Sequence, residues 1–219
     1  MCGQRRSTTI MSSINHSESI MKQLRNLALV AVPAAVLAMT WALPAAASLQ
    51  SGAAAPDFTA PASLSGKEFS FSLKAALAKG PVVVYFYPSA FTGGCNIQAH
   101  EFAENKDKFT AAGASIIGVS LDNIARLNDF SADPAYCGGK IPVASDADGK
   151  IAKSYDLKVA DAKSGAKDSR GVEINHGFAE RTTFIVTKDG KIFATIGGVS
   201  PQENVDQALQ AVKRLPAKN

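Results

Sequence analysis

The chain has 219 residues, a formal charge of +4, 7% aromatic residues and three cysteines. Its length suits one compact domain with some chain to spare. Three cysteines exclude a disulfide scaffold, and weak charge with few aromatics gives no signature of nucleic-acid binding.

Residues 1–20 are polar and rich in Ser and Thr, with no helical or strand period. Met21-Lys22-Gln23-Leu24-Arg25 then makes a short cationic start, residues 27–43 carry no charge, and Pro44-Ala45-Ala46-Ala47 closes the run with small residues. A cationic n-region, an apolar h-region and an A-x-A site read as a secretory signal cleaved after Ala47, with Met21 an alternative translation start. The rival reading is a membrane anchor. Against it, the apolar run is at the short limit for spanning, Pro33 interrupts it, and no cationic stop-transfer flank follows. Cys2 is far from the cleavage site, so no lipoprotein cysteine is offered. Removing residues 1–47 leaves 19 Lys and Arg against 18 Asp and Glu, a charge of +1, and two cysteines, Cys95 and Cys137. The expectation is an exported, periplasmic domain of residues 48–219, with no stable membrane association after processing and no nucleic-acid partner.

Residues 51–62, with Pro56 and Pro61, read as an extended lead-in. Residues 69–73 alternate like an edge strand or the entry to a short helix over 74–79, which Gly80-Pro81 breaks. Val82-Val-Val-Tyr-Phe-Tyr87 is a continuous β-branched and aromatic run, the pattern of a strand buried on both faces. A helix follows over 95–111, stopped at Gly113, and then a second buried strand over 115–121. Short helices are expected over 123–130 and 150–155, with a strand over 141–144 and a loop or irregular hairpin over 158–177. Residues 181–194 form a hairpin around Lys188-Asp189-Gly190, and residues 205–213 a closing helix. Strands alternating with helices, then a hairpin and a helix, mean α/β with a central mixed sheet.

The chemistry concentrates in Tyr87-Pro88-Ser89-Ala90-Phe91-Thr92-Gly93-Gly94-Cys95. A buried strand ends, a glycine-rich turn follows, and a helix begins at a cysteine. The unpaired N–H groups and positive potential of a helix start favour a thiolate there, and a thiolate is a nucleophile. Each residue also has a plain reading. Cys95 taken alone reads as a small buried hydrophobe, Thr92 as an N-cap bonding the Cys95 N–H, Pro88 as a strand terminator and Arg181 as a surface strand residue.

Taken together, Pro88, Thr92 and Cys95 match P-x-x-x-T-x-x-C, the signature of the peroxiredoxins. The surrounding segment resembles the Q-type (bacterioferritin-comigratory) branch and its FYP-x-x-x-T-x-G-C pattern. Arg181-Thr-Thr-Phe-Ile-Val-Thr-Lys-Asp-Gly-Lys-Ile192 is similar to the family's R-x-T-F-x-I-x-x-x-G-x-I hairpin, and residues 113–122 and 143–146 resemble further family segments. The resemblance spans residues 54–214. It implies a thioredoxin-like fold and a thiol peroxidase using no metal or organic cofactor. In that role Cys95 attacks the O–O bond and becomes a sulfenic acid. Arg181 stabilises the negative charge, Thr92 holds peroxide or thiolate through its hydroxyl, and Pro88 shields the pocket. The implied partners are a peroxide and a thioredoxin-like or other thiol reductant, with the protein a monomer or weak dimer.

Two departures stand out. Gly93 occupies a position where the Q-type branch usually has Pro. His100 stands where many members carry a resolving cysteine. Cys137, in Asp133-Pro-Ala-Tyr-Cys-Gly-Gly139, is the candidate that remains, in a region where some members carry theirs; the plain alternative is an unpaired thiol. His100 and His176 read as structural or solvent-facing.

Other classes are a thiol–disulfide oxidoreductase, a redox sensor and a metal-handling module. The first normally needs C-x-x-C, and here the segment is Cys95-Asn-Ile-Gln98. A soft metal site would draw on Cys95, Cys137 and His176, but the paired cysteines of the Sco-type copper proteins, which resemble this fold, are missing, with alanine at Ala99.

Overall fold

The structure, a computed structural model, describes residues 48–215. The signal segment expected over residues 1–47 lies outside the described residues. The framework is a seven-stranded mixed sheet in the order β2-β1-β5-β4-β3-β8-β9. Its strands are β1 (Thr59–Leu64), β2 (Lys67–Ser72), β3 (Val82–Phe86), β4 (Ser115–Ser120), β5 (Val143–Ser145), β8 (Thr182–Val186) and β9 (Ile192–Gly197). A separate two-stranded ribbon, β6 (Val159–Ala160) with β7 (Phe178–Ala179), forms the irregular hairpin expected between them. The helices are α1 (Leu73–Leu77), α2 (Gly93–Ala111), α3 (Ile124–Ala132), α4 (Lys150–Ser154) and α5 (Pro201–Lys213).

β3 lies between β4, parallel to it, and β8, antiparallel to it, and every one of its residues is buried. Its side chains alternate between two apolar layers. Val83, Tyr85 and Tyr87 join α2, α3 and α5 in one layer, which also holds Cys95 and Cys137. Val82, Val84 and Phe86 join Leu73, Tyr155 and Phe184 in the other. A run with no polar alternation is therefore what a central strand with helices on both faces requires. Tyr85 stacks on Phe102 of α2 with ring centroids 4.4 Å apart. It passes over Gly118, its neighbour in β4, where an added Cβ would stand 2.5 Å from the Tyr85 ring, so position 118 admits no side chain without displacing the tyrosine.

Several element boundaries differ from the sequence reading, among them the start of α5, at Pro201 behind the Ser200 N-cap rather than at residue 205. The last residues of the expected lead-in, 59–62, belong instead to strand β1, which pairs antiparallel with both β2 and β5. Its inward residues Ala60 and Ala62 are too small to give a strand pattern in sequence, and the pairing comes from neighbours far along the chain. β5 begins at Val143 rather than residue 141. Pro142 has no N–H to contribute and only accepts, from the Gly118 N–H at 3.1 Å.

Candidate active site

β3 delivers the chain to Pro88, which is half-buried, and then to a short loop and the N-terminus of α2. Thr92 is the N-cap residue, with extended backbone, and the first helical bond runs from the Asn96 N–H to its carbonyl at 2.8 Å. Gly93, Gly94 and Cys95 therefore present the first-turn N–H groups of a nineteen-residue helix. Cys95 faces the core and is 2% exposed.

The Thr92 side chain does not cap the helix, which corrects the plain reading of that residue. Its hydroxyl instead donates to the Ser89 carbonyl at 2.8 Å. With its proton so committed, Thr92 Oγ1 offers only lone pairs to anything else.

Arg181 is not an ordinary surface residue. The β3–β8 register pairs Phe86 with Thr182, which sets Arg181 just past the end of β3, beside the start of α2. Its Nη2 donates to the Cys95 Sγ at 3.4 Å. A Cβ added to Gly94 would approach Nη2 to 3.1 Å, so the glycine leaves room for the guanidinium. A fixed cation beside a sulfur at a helix N-terminus stabilises negative charge on that sulfur and on an oxygen leaving it.

Sequence reasoning missed the residues that hold the arginine. Arg181 Nη1 donates to Gln98 Oε1. Gln98 Nε2 donates to Asn204 Oδ1 of α5 at 2.9 Å, and that oxygen also accepts from the Thr183 hydroxyl at 2.5 Å. Asn204 Nδ2 closes the chain on the Ile196 carbonyl at 3.1 Å. Gln98 and Asn204 are both fully buried. The signal in sequence was a polar side chain on the apolar stripe of Cys95, Ala99 and Phe102, one turn after the cysteine.

Cys137 is free and fully buried, in the turn that follows α3. Burial pushes its thiol well up, and Asp133 adds to the shift. It shares an apolar layer with Cys95, Phe91, Phe130 and Tyr136. His100 is exposed, as expected. His176 is not simply solvent-facing: its Nε2 lies 2.8 Å from Asp122 Oδ1. It is thus engaged by a carboxylate rather than by the cysteines of a soft metal site. Among the described residues no group of three or more His, Cys, Asp and Glu side chains is arranged to hold a metal ion.

The AhpC/TSA family model matches residues 51–195. The chain belongs to that family. Among its curated relatives, peroxiredoxin Bcp of Xanthomonas campestris is 29% identical over 132 residues, covering 60% of this chain and 76% of the relative. The crystal structure of peroxidoxin BcpB from Mycobacterium tuberculosis superposes with a TM-score of 0.64 at 27% identity, covering 77% of this chain and 99% of that one. Peroxiredoxin Q of Xanthomonas campestris superposes with a TM-score of 0.56 at 30% identity, covering 71% and 90%. The fold is therefore the thioredoxin-like fold of the peroxiredoxins. This AhpC/TSA protein is a thiol peroxidase, an oxidoreductase that acts on peroxides with thiol reductants.

Proposed function

We propose that Cys95 is the peroxide-reactive thiol of this peroxiredoxin, and the observation that carries the reading is the 3.4 Å approach of Arg181 Nη2 to its sulfur at the start of α2. The Cys95 thiolate attacks one oxygen of ROOH. The S–O bond forms as the O–O bond breaks, leaving Cys95–SOH once the proton is placed and RO⁻, which takes a proton to become ROH. Arg181 and the first-turn N–H groups stabilise the negative charge as it passes from sulfur to the departing oxygen. Thr92, its own proton given to Ser89, accepts the peroxide O–H and orients the peroxide for in-line attack. Pro88 closes the loop side against water.

Cys137 resolves the sulfenic acid: its thiol condenses with Cys95–SOH to a disulfide and water, and a thioredoxin-like dithiol returns both cysteines to thiols with two electrons and two protons. Because Cys137 is fully buried in the reduced fold, this step needs the turn after α3 to open. That burial also favours a second reading, in which an external thiol reduces Cys95–SOH directly. We further propose, from the sequence pattern alone, that residues 1–47 direct export.

The test follows peroxide loss with reduced protein and a thioredoxin or dithiothreitol donor. Turnover in wild type that vanishes in Cys95→Ser supports the peroxidase, and absence of turnover in wild type overturns it. Peptide mapping after one equivalent of peroxide separates the two resolving routes: a Cys95–Cys137 disulfide supports the internal one. A mixed disulfide between Cys95 and the added thiol supports the external one.

A further inference from the structure

The loop that presents Thr92 and Cys95 is gripped by charged groups that take no part in the chemistry above. Asp122, two residues past the end of β4, is fully buried. Its Oδ2 accepts the Ala90 N–H at 2.7 Å and the Ser120 hydroxyl at 2.7 Å, and its Oδ1 accepts the Ser89 hydroxyl at 2.9 Å. Arg126 Nη2 donates to the Ala90 carbonyl at 3.0 Å and to Asp168 Oδ2 at 2.7 Å. Its Nε lies 2.9 Å from Asp122 Oδ1, an ion-pair distance without hydrogen-bond alignment. The Ser169 N–H donates to the Phe91 carbonyl at 2.9 Å, and the Arg170 guanidinium lies 3.3 Å from the centroid of the Phe91 ring. The loop needs such a hold, because Phe91 sits at a φ of +60°, a left-handed conformation that costs a non-glycine residue on the order of 1–2 kcal/mol.

His176 completes the grip. Its Nδ1 is 2.7 Å from the Gly177 carbonyl, which can only accept, so Nδ1 carries a proton. Its Nε2 is 2.8 Å from Asp122 Oδ1, on a carboxylate already serving three other donors as acceptor, so Nε2 carries one as well. Both bonds exist together only in the imidazolium. Loss of either proton turns one of them into two lone pairs facing each other.

We propose that His176, acting through Asp122, is a positioning residue for peroxide reduction: its imidazolium fixes the carboxylate that holds Ser89 and Ala90, and through the Ser89 carbonyl the hydroxyl of Thr92. This rests on Cys95 being the reactive thiol. Asp122 after β4 contacts His176 directly; Arg126 and Asp129 of α3 and Arg170 and Glu173 of the connection between β6 and β7 line the same cavity, and Asp168 of that connection pairs with both arginines. Burial and Arg126 oppose the imidazolium, but Asp122 and the Gly177 carbonyl outweigh them and raise His176 above the usual histidine value. The grip is thus complete while His176 is protonated and weakens as the pH rises through that raised value.

The test measures the rate constant of the reduced full-length protein with hydrogen peroxide, by competition with a haem peroxidase, from about pH 5 to about pH 9. Cys95 ionisation is followed separately by thiolate absorbance. Divided by the thiolate fraction measured at each pH, the wild-type rate constant is expected to fall about tenfold as the pH rises through the His176 midpoint. His176→Gln, which offers the carboxylate only a neutral donor, is expected to run at the reduced high-pH level of wild type throughout and so show no fall, while its thiolate curve stays in place. A wild type with no fall, or a fall that survives in His176→Gln, overturns the proposal. Should that variant fail to fold, NMR on wild type decides: the Ala90 amide must shift with the His176 imidazole midpoint, and an unresponsive Ala90, or a His176 midpoint below the ordinary histidine value, overturns it. These NMR outcomes stand even if wild type consumes no peroxide at any pH, a result that would sink the peroxidase reading instead.

Discussion

The guanidinium of Arg181 is divided between two partners, with Nη2 on the Cys95 sulfur and Nη1 on the buried amide oxygen of Gln98. A neutral amide fixes the cation without cancelling its charge, and Asn204 fixes the amide in turn. Gln98→Met keeps the volume but removes both hydrogen bonds. The peroxide rate constant is expected to fall about 10- to 100-fold, the range that a small misplacement of an active-site group produces. Stopped-flow or competition kinetics checks this, and a rate within twofold of wild type would show that Gln98 does not hold Arg181.

The two glycines of the loop are not equivalent. A methyl group at Gly94 meets Arg181 Nη2 at 3.1 Å, whereas one at Gly93 meets nothing within 4 Å among the described residues. Gly94→Ala is expected to slow peroxide reduction and Gly93→Ala to leave it unchanged. Gly93 is also the first helical position after an extended Thr92 (φ −111°, ψ 147°), a setting that accepts proline. Gly93→Pro should raise stability by about 0.5 kcal/mol, read from denaturant unfolding.

Cys137 should be invisible to alkylating reagents in the folded reduced protein and become reactive once the turn after α3 opens. Low urea, below the unfolding transition, is expected to speed Cys95–Cys137 disulfide formation while leaving sulfenic acid formation unaffected. Rates of both steps measured across such a series test it, and parallel responses would contradict the need for local opening.

The Asp122–His176 pair shapes stability against pH in both directions. Burial pushes Asp122 up, but its bonds from His176, Ala90 and Ser120 outweigh this and hold its carboxyl below the usual range. Its contribution is present above about pH 4 and lost as pH falls through the lower folded value. His176 is raised, so its contribution is full below about pH 6.5 and lost as pH rises through the folded value. The Tm difference between wild type and Asp122→Asn should therefore shrink in acid, and that between wild type and His176→Gln should shrink in alkali. Calorimetry over the range reads both.

The Tyr85 hydroxyl is buried with no hydrogen-bond partner among the described residues, and burial raises its ionisation well above the ordinary tyrosine value. Leaving a polar group unpaired costs about 1–3 kcal/mol, so Tyr85→Phe should stabilise the fold by about 1 kcal/mol while keeping the stack on Phe102. A destabilised variant would mean that the hydroxyl has a partner in solution.

The strand-to-helix unit from Val82 to Cys95 was legible because its signals are local: an unbroken apolar run, a loop, then helical spacing. The same holds for the β8–β9 hairpin with its Asp-Gly turn. What escaped is held together across the chain. Gln98 meets Asn204 over 106 residues, and His176 meets Asp122 over 54. Gln98 is marked only by its place on an apolar stripe, and nothing near Asn204, Asp122 or His176 marks it as more than a polar side chain. Strand β1 escaped for a related reason: Ala60 and Ala62 carry no pattern, and the ladder to β5 supplies what local propensity does not.

The division of β3 between two apolar layers has a consequence for how the molecule can survive its own turnover. Cys95 and Cys137 lie in one layer, together with Phe91, Phe130 and Tyr136, so the proposed bond rearrangement between them would fall within that half. The opposite half, built on Phe86, Tyr155 and Phe184, touches neither sulfur and stays as the keel against which the worked half re-forms. Amide exchange should report this as two cooperative units, with protection lost on oxidation around the turn after α3 and retained around α4.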